Sequence, residues 1–198
     1  VGQRIGIFGG TFDPVHVGHL VAAVNARHCL SLDRVILMVA NVPWQKVGSR
    51  TVSAARDRLA LVSAAVEPVP GLEAGHNEIE RGGDSYTADT LVELRAAHPD
   101  AELFVLVGWD VAAELSTWAR VEDVKALATL VIINRPGAGR PRGLDGSGWR
   151  VEEVTVPNLE ISSTDLRERA RDGRPLDYLV PAPSAAFIRA RGLYAVDR

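Results

Sequence analysis

Short apolar runs alternate with amphipathic stretches along this chain. Residues 5–8 (IGIF), 34–40 (RVILMVA), 102–107 (ELFVLV) and 129–134 (TLVIIN) are mostly apolar and bounded by turn residues. That pattern predicts inner parallel strands buried on both faces. Between them the spacing predicts a helix from Val17 to Leu30, with Leu20, Val21, Val24 and Cys29 as core contacts. A second helix is predicted from Ala54 to Val66, capped by Ser53 and broken by Pro68, Pro70 and Gly71. A third, from Ala88 to Ala97, has Thr87 as its expected N-cap. Leu72–Ile79 and Arg150–Val156 read as further strands, and Arg81–Thr87 as a loop. After Gly108-Trp109-Asp110 a short helix is expected to Thr117, and Trp118 leads into a segment from Val121 to Ala128. Ile161 opens a helix to Asp172 that Gly173 stops, Leu176–Val180 is apolar, and Ala185–Arg191 reads as the last short helix. Strand, helix and strand over residues 5–40 form a βαβ unit, which requires a right-handed crossover. The expected fold class is therefore α/β, a doubly wound parallel sheet, in one domain over residues 1–198. Ligands of such sheets bind beyond the carboxyl ends of the strands. Gly9, Gly10 and Asn41 fall there, and Gly108 ends a later strand.

Composition adds exclusions. The chain has 198 residues, enough for a sizeable core. A net charge of −3 gives no basic footprint for nucleic acid. No apolar run approaches a membrane span, so no membrane partner is expected. The first residues lead straight into a strand and no signal peptide is visible, so a cytoplasmic location is expected. One cysteine, Cys29, excludes an internal disulfide and reads as a packing residue. Residues 135–148 (RPGAGRPRGLDGSG) read as a flexible surface loop, with 136–149 as the flexible stretch within the domain. A homo-oligomer is compatible with the sequence, which does not fix the copy number.

The chemistry concentrates at two places. In the first, Arg4 to His19 reads RIGIFGGTFDPVHVGH. Gly9-Gly10 removes two Cβ atoms where backbone must approach something closely. Pro14 keeps Asp13 extended, so a helix can begin only after it. His16 and His19, three apart, point the same way from the first turn. A helix N-terminus has free N–H groups and a partial positive charge, which suits an anion, and two imidazoles add donors for phosphate. In the second, Ser162, Ser163 and Thr164 stand at another predicted helix N-terminus, with Arg167 three residues beyond Thr164. Those hydroxyls either cap the helix or bind phosphate. No G-x-G-x-x-G fingerprint and no Walker A motif is present.

The first stretch resembles the GxFDPxHxGH signature of the HxGH nucleotidylyltransferase superfamily, and the second is similar to its ISSTxxR signature. Ser85-Tyr86-Thr87-Ala88-Asp89-Thr90-Leu91 resembles the SYTxxTL segment of the bacterial nicotinate mononucleotide adenylyltransferase family. Gly108-Trp109-Asp110 with Trp118, then Asn134-Arg135-Pro136-Gly137 and the ending Gly192-Leu193-Tyr194, are similar to later motifs of that family, in order. The resemblance covers almost the whole chain and implies a Rossmann-like fold of nucleotidylyltransferase type. Two departures stand out. The family's Pro-Pro-His before a basic residue is Pro43-Trp44-Gln45-Lys46 here, and position 109, usually small or polar, is Trp. Trp44 and Trp109 are expected to shape access.

What the resemblance implies is AMP transfer from ATP to nicotinate mononucleotide, giving nicotinate adenine dinucleotide and pyrophosphate in NAD biosynthesis, with Mg²⁺ accompanying ATP. It implies catalytic roles for His16, His19, Lys46 and Arg167. It implies ATP binding by Gly9, Gly10, Thr11, Phe12, His16, His19, Gly108, Asp110, Arg135, Ser162, Thr164 and Arg167, with Asp110 on the ribose. Thr11, Asn41, Lys46, Thr87 and Trp118 would hold the mononucleotide. A pyridinium is a flat cation, for which indole is the best face. No protein-only metal cage is expected, since Mg²⁺ keeps waters and leans on substrate phosphates. The alternatives are nicotinamide mononucleotide or pantetheine phosphate as acceptor, or a regulatory module that keeps the phosphate clefts without catalysis.

Overall fold

A computed structural model of the chain describes residues 2–43, 52–134, 144 and 148–195. Six strands form one sheet: β1 (Arg4–Gly10), β2 (Arg34–Val39), β3 (Leu72–Gly75), β4 (Glu102–Gly108), β5 (Ala128–Asn134) and β6 (Val151–Thr155). Their order is β3-β2-β1-β4-β5-β6. Eight helices among the described residues flank it: α1 (Val17–Cys29), α2 (Ala55–Val66), α3 (Asn77–Arg81), α4 (Thr87–Ala97), α5 (Trp109–Ala112), α6 (Val121–Leu127), α7 (Ser163–Arg171) and α8 (Ala182–Arg191). This is the α/β sheet that the strand and helix pattern predicts and the Rossmann-like fold that the family resemblance implies. The order reverses between β1 and β4, so their carboxyl ends mark the position where such sheets take a ligand.

By internal contacts the chain divides into two compact units. The first comprises Val1–Gly9, Ala22–Ile36 and Tyr86–Asn158. In it β1, β4, β5 and β6 run parallel, with Phe8 opposite Leu106, Gly108 opposite Ile133 and Asn134 opposite Thr155. The apolar runs of β4 and β5 are buried almost without interruption, as strands covered on both faces must be. β6 is the exception. Glu152 and Glu153 are exposed and only Val154 is buried, the charged pattern that protects an edge from further pairing. The second unit comprises Gly10–Val21, Leu37–Ser85 and Leu159–Arg198. There α2 packs against β3 and α8, and the buried Ser184 hydroxyl donates to Leu61 O at 2.8 Å.

Several local expectations need correction. The helix after Ser53 begins at Ala55, and its N-cap is Ala54 with no side-chain bond. Ser53 instead gives its own N–H to Asp13 Oδ2 (3.4 Å). Thr87 is the first residue of α4 and Tyr86 is the cap, again without a side-chain bond. Only Leu72–Gly75 of the expected strand to Ile79 is extended, because His76 turns the chain into α3. The last helix starts three residues early, at Ala182, with Pro183 tolerated in its first turn, where no N–H is needed. In α1 the buried face is Ala22, Ala23 and Ala26, whereas Val24 and Cys29 are exposed and Leu20 and Val21 only partly covered. Small residues at that spacing let a helix lie close to its neighbours, so the larger apolar side chains end on its outer side.

Candidate active site

The chain leaves β1 at Gly10 and turns through residues 11–16 before α1 begins at Val17. The turn is buried throughout: Asp13 is 1% exposed, Phe12 3%, His16 7% and Thr11 8%. Phe12 adopts a positive φ of 50°, which folds its ring back over Gly10. A Cβ at Gly10 would stand 2.8–3.0 Å from that ring, so only glycine fits there. The Phe12 ring then meets His19 edge to face, centroids 5.0 Å apart.

His16 and His19 converge as their spacing predicts. Their rings stack at 3.7 Å with 27° between planes. The His16 backbone N–H donates to His19 Nδ1 (3.2 Å), which fixes the neutral His19 ring with its proton on Nε2. His16 Nδ1 is buried with no hydrogen-bond partner among the described residues. Burial also pushes the His16 pKa down from 6.5 to about 4, so the ring is neutral at neutral pH. A bare buried acceptor costs less than an orphaned donor, so the proton belongs on Nε2 of His16 as well. The pair therefore offers N–H donors rather than positive charge. Gly18 is part of the same construction, because a Cβ there would lie 3.1 Å from His16 Nδ1 and 3.2 Å from Cε1.

The carboxyl-terminal cluster is tied to this turn. Ser162 caps α7, its Oγ accepting from Asp165 N at 3.1 Å. Ser163 Oγ donates to Pro14 O (2.9 Å), and Arg167 donates through one Nη to Asp13 O (2.8 Å) and through the other to Thr164 Oγ1 (3.1 Å). The α7 N-terminus thus stands beside the turn that enters α1. Of the three hydroxyls, Ser162 serves as the cap and Ser163 holds the turn. Thr164 is exposed and carries Arg167 on its face.

Asp13 is the charge at the centre of the turn. Its carboxylate accepts from Tyr194 Oη (2.9 Å) and Ser53 N (3.4 Å). Burial, and then the Asp13 charge, push the Tyr194 hydroxyl well above its usual pKa, so it remains a donor. Beyond β2, Asn41 donates from its backbone to Ser85 Oγ (2.8 Å) and from its carboxamide to Gly83 O (2.9 Å). Arg58, 1% exposed, bonds the carbonyls of Thr11, Ala40, Asn41 and Ser53. Asp13, Tyr194 and Arg58 are supports that the sequence reading did not single out. Arg58 had a signal: it shares the buried face of α2 with Leu61, Val62 and Ala65, where an arginine is out of place.

Gly9, Thr87, Gly108, Asp110 and Trp118 lie in the first unit. Gly9 is the penultimate residue of β1 and Gly108 closes β4, and a Cβ at either would meet nothing within 4 Å among the described residues. Asp110 is exposed in the first turn of α5. Thr87 starts α4, and Trp118, only partly buried, follows a 3₁₀ turn at Leu115–Thr117. Lys46 and Arg135, with Trp44 and Gln45, lie outside the described residues, as does most of 136–149. Among the described residues no helix is long and apolar enough to cross a membrane, and no cluster of His, Cys, Asp or Glu could hold a metal ion.

The class is defined by a cytidylyltransferase-like family model that matches residues 7–169, spanning both the His16-x-x-His19 turn and α7 up to Arg169. Two curated relatives narrow it, both named probable nicotinate-nucleotide adenylyltransferase. The protein of Corynebacterium kroppenstedtii is 43% identical over 96% of this chain and 90% of its own length. That of Streptomyces coelicolor is 44% identical over 94% and 98%. The chain belongs to the nicotinate-nucleotide adenylyltransferase family. A Plasmodium falciparum nicotinic acid mononucleotide adenylyltransferase, solved with NaAD, shares the fold at a TM-score of 0.76 and 16% identity, over 97% of each chain.

Proposed function

We propose that this chain transfers AMP from ATP to nicotinate mononucleotide, releasing pyrophosphate and nicotinate adenine dinucleotide, as the relatives' names and the family imply. The observation that carries the reading is the joint between the two helix mouths, where Ser163 and Arg167 of α7 bond the carbonyls of Pro14 and Asp13. A triphosphate laid across them meets the N-terminal backbone of α7, the histidine donors and Arg167.

The nucleophile is an oxygen of the acceptor's phosphate monoester. Its second pKa is about 6, so it is largely deprotonated at neutral pH and needs no general base. The depressed pKa of His16 agrees, since a neutral imidazole Nε2–H donates to phosphate without taking a proton. Catalysis then rests on in-line alignment and on stabilising charge as the α-phosphorus exchanges oxygens. His16, His19, Ser162, Thr164 and Arg167 hold the triphosphate, with Arg135 near ATP. The family resemblance further assigns Gly9, Gly10, Thr11, Phe12 and Gly108 to ATP and Asp110 to its ribose. Thr11, Asn41, Lys46, Thr87 and Trp118 hold the mononucleotide. A divalent cation, Mg²⁺ in this reading, travels with ATP and offsets phosphate charge. The carboxylates at the two helix mouths are already engaged, Asp13 by Tyr194 and Ser53 N and Asp165 by Arg169, which suits a cation carried by the substrate phosphates.

Replacing His19 with alanine tests the assignment. Turnover is expected to fall by about two orders of magnitude, with the fold intact by circular dichroism. Unchanged kcat would remove the imidazole pair from the reaction.

A further inference from the structure

We infer that Arg58 is a positioning residue for the acceptor mononucleotide, acting through the backbone of Thr11 and Asn41. Arg58 is 1% exposed. Its Nη1 donates to Thr11 O (2.8 Å) and Ala40 O (2.7 Å), its Nη2 to Asn41 O (2.9 Å) and its Nε to Ser53 O (2.9 Å). Thr11 is the first residue after β1, and Ala40 and Asn41 are the first after β2. One rigid cation thus fixes the exit of both strands, at the end where ligands bind.

Asn41 shows what this does. Arg58 holds its carbonyl, Ser85 Oγ its N–H, and Gly83 O takes a proton of its carboxamide. With those bonds made, the orientation of the Asn41 side chain is set, and its Oδ1 and second amide proton are presented in a fixed direction. Of the four residues whose carbonyls Arg58 holds, Asn41 is assigned to the mononucleotide alone and Thr11 to both substrates, and none to ATP alone. Loss of the guanidinium therefore disturbs the acceptor side more than the triphosphate side. Lysine is not an adequate substitute, because a single ammonium cannot reach carbonyls spread around a planar fork. The inference rests on the reading above that Thr11 and Asn41 contact the mononucleotide.

The test uses the full chain with Arg58→Lys and Arg58→Gln, in two measurements. In steady-state kinetics the mononucleotide KM is expected to rise about tenfold and the ATP KM by less than about twofold. Equal changes in both, or lower stability with both KM values unchanged, would overturn the positioning role. In hydrogen exchange, peptides covering residues 9–14 and 38–43 are expected to exchange faster while α2 keeps its protection. Even deprotection of α2, or failure of both variants to fold, would assign Arg58 to the core alone. Exchange needs no turnover, so it judges Arg58 even if the wild-type chain makes no dinucleotide, a result that would refute the proposed reaction instead.

Discussion

Gly18→Ala separates stability from catalysis. On propensity alone the change should stabilise α1, since alanine is better than glycine inside a helix by about 1 kcal/mol. The new Cβ, however, would lie 3.1 Å from His16 Nδ1 and 3.2 Å from Cε1. The ring must retreat by a few tenths of an ångström to reach ordinary contact, and it has little room to do so. It is 7% exposed and stacked at 3.7 Å on His19, whose Nδ1 is bound to the His16 backbone. The crowding offsets most of the propensity gain, so the unfolding free energy from urea melts should change by no more than about 1 kcal/mol in either direction. The displaced Nε2 is another matter. A catalytic donor misplaced by a fraction of an ångström costs about 10- to 100-fold in rate, or about 1.4–2.7 kcal/mol on the barrier. Pyrophosphate release under saturating ATP and acceptor measures kcat directly. A folded Gly18→Ala variant with wild-type kcat would refute the claim that the His16 ring position matters.

Other consequences are equally specific. The folded-state pKa of His16, about 4 against 6.5, means the unfolded chain binds the extra proton between those values. Stability should therefore fall as pH drops from 6.5 to about 4, by up to about 3 kcal/mol, and His16→Gln should flatten that slope in pH-dependent urea melts. Tyr194→Phe removes the hydroxyl on the buried Asp13 carboxylate and should cost about 1.5–3 kcal/mol by denaturation, with a midpoint equal to wild type counting against the contact. Trp118→Ala should raise the mononucleotide KM about tenfold more than the ATP KM, a split that a packing residue would not give.

Much of the fold was legible because its signals are local. The inner strands are continuous apolar runs with turn residues at both ends, and their limits fall within two residues of expectation. The His16–His19 convergence followed from helical spacing. What could not be read depends on partners distant in sequence. Ser53 looked like a cap, but its N–H is drawn to Asp13, forty residues away. Cys29 and Val24 carry the apolar character of α1, yet its alanines are buried, because the choice of face is made by the neighbours and not by the helix. Ser163, Arg167 and Tyr194 all bond the Asp13-Pro14 segment from the far end of the chain. No window of sequence shows that closure, although each hydroxyl and guanidinium was a visible donor.

Product analysis of the wild-type protein incubated with ATP, nicotinate mononucleotide and Mg²⁺ tests the account most directly. Nicotinate adenine dinucleotide and pyrophosphate should appear in equal amounts, with nicotinamide mononucleotide a poorer acceptor in parallel reactions. ATP and mononucleotide that remain intact, with no dinucleotide formed, would contradict it.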